Sequence, residues 1–274
     1  MPPVPLRRLW GKRASGYVSW HRKRKARHTS AVLDALVRDV RARYADAVCV
    51  TGDLTNLALP GEAAPSAAWL RALGEPVDVH AIPGNHDAYA RGAAAPETVW
   101  PAWMAGDGQA PGFPYVRERA GVAIIGVSSA VATPLFMASG RVGAAQLTAL
   151  REALTATGAR GLTRVVMVHH PPQAGAAGWR HGLTDAAAMR AVLAEAGAEL
   201  VLHGHLHQPV HTHVPGRTGP IPVVGVPSAS SRGGGRDAPA GYALIELGAG
   251  GGRLHRRTLT DSPAFGAAGT TALV

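Results

Sequence analysis

An α/β fold class follows from three features of the 274-residue sequence. Apolar runs alternate with stretches of helical periodicity, four of those runs stop abruptly in polar residues, and beyond residue 207 strands follow one another without long helices. The four runs are 47–51, ending in Gly52-Asp53; 77–82, ending in Pro83-Gly84-Asn85-His86-Asp87; 164–168, ending in His169-His170-Pro171-Pro172; and 199–202, ending in His203-Gly204-His205-Leu206-His207. In open α/β sheets, ligands gather at the carboxyl ends of strands. Four such ends predict one shared site.

Taken in order, residues 1–29 read as an irregular arm, with Trp10, Tyr17 and Trp20 anchoring it to the body. Arg7, Arg8, Lys12, Arg13, Arg22, Lys23, Arg24, Lys25 and Arg27 fall in this arm and supply part of the formal net charge of +10. Such a run serves either as a solvated arm, the preferred reading, or as a contact for nucleic acid or acidic lipid. Thr29-Ser30 caps a helix with Val32, Leu33, Leu36, Val37 and Val40 on one face. After the strand to Asp53, a loop through Pro60-Gly61 leads into a helix carrying Trp69, Leu70 and Leu73.

The strand to Asn85 is followed by a loop, 88–115, long enough to suggest function. Residues 113–119 and 122–128, joined at Ala120-Gly121, predict a hairpin. A helix over 143–155 places Leu147, Leu150 and Leu154 inward, and another begins at Thr184-Asp185 after the strand to His169. Strands are expected at 210–214, 221–226, 242–247 and 253–259, with a Gly/Ser/Arg loop at 228–237 and a frayed tail at 261–274. The economical division is a basic arm over 1–29, one domain over 30–260, and the tail.

Composition narrows the class further. An apolar fraction of 46% fits a globular chain with a sizeable core. Cys49 is the single cysteine, so no intrachain disulfide forms and its thiol is expected to pack. No stretch reaches the length of a membrane span, and no continuous apolar segment follows the basic N-terminus, so a cytoplasmic location is expected. The residues set no oligomeric state.

The polar strand ends have a definite chemistry. Asn85 offers a neutral oxygen to a hard cation, His86 a nitrogen ligand or a proton, and Asp87 a carboxylate that holds a ligand or orients an imidazole. Choosing among these roles needs more than the tetrad itself. Gly52-Asp53, Gly84-Asn85-His86-Asp87, His169-His170-Pro171-Pro172 and Gly204-His205-Leu206-His207, in this order, resemble the calcineurin-like metallophosphoesterase family. The resemblance is nearest to the bacterial cyclic-nucleotide phosphodiesterase and glycerophosphodiesterase branch, which Leu54-Thr55-Asn56, Pro60, Glu62, Gly140 and Gln146-Leu147 also resemble.

The resemblance implies a four-layer α/β/β/α sandwich of two mixed sheets flanked by helices, with two divalent ions (Mn, Fe or Zn) between the sheets. Asp53 would bridge them; Asn85, His169 and His205 would complete one ion's protein ligands; His207 would belong to the other. His86 would be the proton donor to the leaving group, with Asp87 orienting it. His170, beside His169, is read as structural, and His80 and His203 as packing.

The chemistry accords with this. A phosphodiester repels hydroxide, and two cations about 3.5–4 Å apart neutralise its charge and generate a nucleophile from water. The implied activity is hydrolysis of a small-molecule phosphoester, a phosphodiester of cyclic-nucleotide or glycerophosphodiester type, through a hydroxide bridging the metals. Nuclease-like action on nucleic acid and a catalytically silent, metal-binding interaction protein are the alternatives.

One departure stands out. The family's first strand ends in Asp-x-His, and no such triplet occurs upstream of residue 46. Either that strand and its ligands precede Met1, the favoured expectation, or one metal site lacks two ligands and a central strand is missing. Two ions stay the implied complement, and Asp53, Asn85, His169 and His205 are enough to hold one of them in this chain.

Overall fold

The computed structural model describes residues 4–5, 8–248, 251–261 and 264–273. The arm is helical rather than irregular: α1 (Lys12–Ser19) runs into a π-helical turn over Trp20–Arg24. The next helix, α2 (Ser30–Arg41), starts where expected, with Thr29 Oγ1 accepting from the Val32 N–H at 3.4 Å. There follow β1 (Val48–Val50), α3 (Pro60–Leu73), β2 (Val79–Ala81) and the short α4 (Pro96–Val99). The hairpin is β3 (Tyr115–Arg119) and β4 (Val122–Gly126); then come α5 (Ala144–Ala159), β5 (Thr163–Met167), α6 (Ala186–Ala196) and β6 (Leu200–His203). The C-terminal strands are β7 (Val210–Val214), β8 (Ile221–Gly225), β9 (Arg232–Gly234), β10 (Asp237–Pro239), β11 (Gly241–Gly248), β12 (Gly251–Leu259) and β13 (Phe265–Ala272).

Four layers result. A six-stranded mixed sheet has the order β3-β4-β5-β6-β8-β7. Its outer face packs on α5 and α6 through Ile125, Leu150, Leu154, Val166, Met189, Val192 and Leu193. The facing layer consists of the parallel pair β1-β2 and the antiparallel sheet β11-β12-β13. Val165, Leu200, Val224, Leu254 and Ile245 pack between the layers on one side, and Ile82, Ile124, Met167 and Cys49 on the other. Over the outside of this second layer, α2 and α3 bury Val32, Leu36, Leu70 and Leu73 with Trp100 and Trp103. The α/β/β/α order that the motifs implied is therefore the observed one.

The facing layer is interrupted. Among the described residues, β1 pairs only with β2 and β11 only with β12, so each presents one open edge. A cavity of about 940 Å³ lies between those edges, with Val48, Cys49 and Val50 on one wall and residues 242–247 on the other. Val122, Ile124 and Val165 from the six-stranded sheet and Leu36 and Val40 from α2 also line it. Among the described residues the backbone groups along these two edges find no ladder partner, and the walls beside them are apolar. The cavity also contains Asp53, His86, His169, His205 and His207, so the interruption opens onto the candidate site.

Two differences from the expected layout have simple causes. Residues 265–272 are not a frayed tail but β13, antiparallel to β12, with Phe265 buried. Its Ala, Gly and Thr residues give no apolar alternation, and the strand forms because β12 supplies a ladder. The 88–115 loop is not open either. Arg117 reaches from β3 to the carbonyls of Ala102 (2.7 Å), Ala105 (2.6 Å) and Pro76 (2.7 Å), while Trp100 and Trp103 enter the core. A further tie joins the layers. Asp39 of α2 accepts from the Tyr242 hydroxyl and from Arg257 Nη2 at 3.0 Å. Burial works against that carboxyl's ionisation, but hydrogen bonds from Arg257, Tyr242 and Arg43 outweigh it and hold its pKa below the usual value. No helix among the described residues is long and apolar enough to cross a membrane.

Candidate metal centre

Four strand ends converge, and two glycines permit it. Gly52 sits at φ +101°, and a Cβ on it would lie 2.6 Å from the Gly84 nitrogen. A Cβ on Gly84 would lie 2.1 Å from Asp53 Oδ1. Only glycine at both positions lets the ends of β1 and β2 meet. Asp53, His205 and His207 themselves adopt left-handed backbone, with φ of 62°, 65° and 54°. Such strain persists only where the surroundings enforce it, and it clusters at functional sites.

The loop bearing Asp53 is fixed by two buried carboxylates. Asp87 accepts from Thr55 N (2.8 Å), Leu54 N (3.1 Å), Gly84 N (2.9 Å) and Thr55 Oγ1 (3.0 Å). Glu62, at the start of α3, accepts from the N–H groups of Asn56 (2.9 Å), Leu57 (3.0 Å) and Leu59 (3.0 Å). Burial and the nearby Asp53 charge raise the Asp87 carboxyl to about 7, against the pull of its N–H donors.

The donor atoms face one another. His169 Nδ1 is 2.7 Å from the Thr51 carbonyl, an acceptor only, so Nδ1 carries the proton and Nε2 presents its lone pair. That Nε2 is 3.2 Å from Asn85 Oδ1 and 3.5 Å from Asp53 Oδ2. His205 donates to the His181 backbone, and its Nδ1 is 3.0 Å from the same Asn85 oxygen. A carboxylate, an amide oxygen and two imidazole nitrogens turned inward, with the rings' protons spent on backbone carbonyls, form a set that suits a divalent cation. Burial opposes ionisation of Asp53, but the His169 and His86 rings and the His86 N–H at 2.9 Å hold it well below the usual carboxylate range.

The other predicted residues divide into near and apart. His170 lies beside the cluster, and its ring could be counted with His169 and His205 as a ligand group. Both of its nitrogens are already engaged, Nδ1 with Ser129 Oγ at 2.7 Å and Nε2 with the Ala138 carbonyl at 3.0 Å, in keeping with a structural part. His203 is buried against the Gly204 carbonyl (2.9 Å) and Gln173 Nε2 (3.3 Å), and His80 is buried in β2. His207 turns to Asp237, with Nδ1 to Oδ1 at 3.0 Å, and its ring lies 6.5 Å from that of His28.

One implied role is corrected. Asp87 does not orient His86, because its oxygens are spent on the 54–55 backbone, Thr55 and Gly84. His86 Nδ1 instead meets the Asn56 carbonyl at 2.7 Å, and Tyr89 stacks on the ring at 5.3 Å between centroids. Burial, partly offset by Asp53 and reinforced by Arg24, pushes the His86 ring down to about 4.

The arm is also docked on the body, although Arg22, Lys23 and Lys25 stay exposed. Arg24 reaches His86, Lys12 reaches Thr133 Oγ1 (2.6 Å), and Arg13 reaches the Leu57 carbonyl (3.1 Å). His28 Nδ1 meets Ser230 Oγ at 2.8 Å. Of the aromatic anchors expected, Tyr17 packs on the Leu57, Leu59 and Tyr89 cluster and Trp20 stacks on His28, while Trp10 is exposed.

An α/β/β/α sandwich with oxygen and imidazole donors at four strand ends between its sheets defines a metallohydrolase. A family model described as calcineurin-like phosphoesterase matches residues 20–209, and the chain belongs to that family of metal-dependent phosphoester hydrolases. A dimetal phosphatase from Danio rerio shares the fold, with 14% identity and a TM-score of 0.62 over 89% of this chain and 88% of that one. Zinc-bound Vps29 from Entamoeba histolytica is 13% identical, with a TM-score of 0.43 over 87% of this chain and 88% of that one. Sulfate thiohydrolase SoxB from Thermus thermophilus is 18% identical, with a TM-score of 0.46 over 90% and 42%. A search of the curated proteins finds no match.

Proposed function

We propose that this hydrolase acts on phosphodiesters, of cyclic-nucleotide or glycerophosphodiester type, with Asp53, Asn85, His169 and His205 holding its cation. The observation that carries the cation site is the meeting of Asp53 Oδ2, Asn85 Oδ1, His169 Nε2 and His205 Nδ1 within 3.0–3.5 Å steps. Bound Mn, Fe or Zn would neutralise phosphate charge and lower the pKa of water. Asn85 serves by holding an oxygen donor on a rigid strand end, and Thr51 and His181 by fixing the two ring orientations. His86 stands beside Asp53 with Nδ1 fixed by Asn56 and Nε2 directed into the cavity. As general acid it would take a proton from solvent water at Nε2, once Arg24 has left that nitrogen, and pass it to the leaving-group oxygen.

The chain itself supports a one-cation form. His207, the residue expected for a second ion, is engaged by Asp237. A metal-binding interaction protein is the second reading that this observation favours.

Diester preference is tested by comparing bis-p-nitrophenyl phosphate with p-nitrophenyl phosphate, then cyclic nucleotides with glycerophosphodiesters, under Mn, Fe and Zn. The diester is expected to be cleaved at least about tenfold faster in kcat/KM, a barrier difference of about 1.4 kcal/mol. A monoester preference would sink the diester assignment and leave the phosphoesterase intact.

A further inference from the structure

Arg24 lies in the arm, outside every motif of the strand ends, yet it enters the site. Its Nη1 is 3.1 Å from Asn56 Oδ1 and 3.2 Å from His86 Nε2, and its Nη2 is 3.3 Å from the same His86 nitrogen. All of these are neutral acceptors. Among the described residues no carboxylate lies within ion-pair distance of Arg24. The guanidinium is nevertheless held in place. Upstream, Lys12 and Arg13 fix α1 to the Thr133–Met137 turn and to the carbonyls of Leu57 and Ala58. Downstream, His28 stacks on Trp20 at 6.2 Å and bonds Ser230.

A positive fork that faces a cavity, fixed from both sides and without a counter-ion, is arranged for an anion. Guanidinium–phosphate hydrogen bonds are charge-assisted and roughly twice as strong as those to neutral acceptors such as the Asn56 amide or the His86 ring. We propose that Arg24 is a substrate-positioning residue: it releases His86 and takes a non-bridging phosphoryl oxygen when substrate enters. The exchange has two consequences. Substrate is clamped between the strand-end cluster and the arm, and His86 Nε2 is freed towards the leaving group. The arm therefore forms one wall of the active site. This rests on the phosphoester reading above.

The test uses the full chain and its Arg24→Ala and Arg24→Lys variants, with two readouts. Inorganic phosphate is titrated calorimetrically, which needs no turnover, and KM and kcat are measured on bis-p-nitrophenyl phosphate. Arg24→Ala is expected to weaken phosphate binding and raise KM by at least tenfold, with a smaller change in kcat, an unchanged metal content and partial rescue by Arg24→Lys. Unchanged phosphate affinity in Arg24→Ala overturns the proposal, as does absence of phosphate binding by the parent chain. A rise in kcat/KM on removing Arg24 overturns it as well, and makes the arm a plug. Failure of the phosphoester reading looks different: phosphate binding depends on Arg24 while no ester is hydrolysed.

Discussion

Replacing Asp87 by alanine is expected to destabilise the protein by about 3–5 kcal/mol, because several buried donors lose their acceptor at once. Four donors converge on its two oxygens: the N–H groups of Leu54, Thr55 and Gly84, and the Thr55 hydroxyl. Asp87 is almost wholly buried, so water replaces the carboxylate poorly, and each donor left unmade costs about 1–3 kcal/mol. Asp87→Asn retains one accepting oxygen and is expected to lose less. Urea unfolding of the two variants measures this directly, and a midpoint for Asp87→Ala equal to that of the parent would mean that Glu62 alone holds the loop. The consequence reaches the site, because the same loop carries Asp53 and the Asn56 carbonyl that fixes His86.

His169→Ala and His170→Ala are expected to separate two neighbouring residues by opposite effects. His169 turns Nε2 towards Asp53 and Asn85, so its loss should weaken metal affinity by more than about 100-fold, beyond the upper range for losing a supporting partner of a ligand. Turnover should fall with it while the fold survives. His170 has no free nitrogen: it ties Ser129 to the Ala138 carbonyl and lies under Gly140, where a Cβ would sit 2.2 Å from its ring. Its loss should lower the free energy of unfolding by about 1–3 kcal/mol, because the Ser129 hydroxyl and the Ala138 carbonyl lose their partner, with metal retained. Equilibrium dialysis beside thermal melts distinguishes the pair. The reverse result would exchange their roles.

Much of this arrangement is legible in the sequence because burial and function coincide at the strand ends. The runs before Gly84, His169 and Gly204 are apolar because both faces of their strands are covered, the run before Gly52 is half-buried beside the cavity, and all four stop where polar groups are needed. The helix start at Thr29 is equally readable from its capping residue, whereas at the start of α6 Asp185 accepts from the Val142 and Gly143 N–H groups instead of capping the helix. What stays hidden depends on contacts distant in sequence. Arg24 looks like one cation among nine in a basic run, and only its docking beside Asn56 and His86 singles it out. Asp87 sits next to His86 in the chain, which suggests an orienting pair, yet the turn at 84–87 points its carboxylate at the facing loop. β13 escapes notice because Ala, Gly and Thr carry too little apolar contrast to mark a strand. The interruption beside β1 becomes visible only with the edges of β1 and β11 facing it.

The central claim is that Asp53, Asn85, His169 and His205 hold a cation that hydrolysis requires. The most direct measurement is metal content per chain by mass spectrometry, taken with bis-p-nitrophenyl phosphate hydrolysis, for the parent and Asp53→Ala after reconstitution with Mn, Fe or Zn. The parent is expected to retain about one ion per chain and to turn over only when it is loaded, while Asp53→Ala, still folded, retains none and is inactive. Equal metal content and equal turnover in the two proteins would contradict the claim.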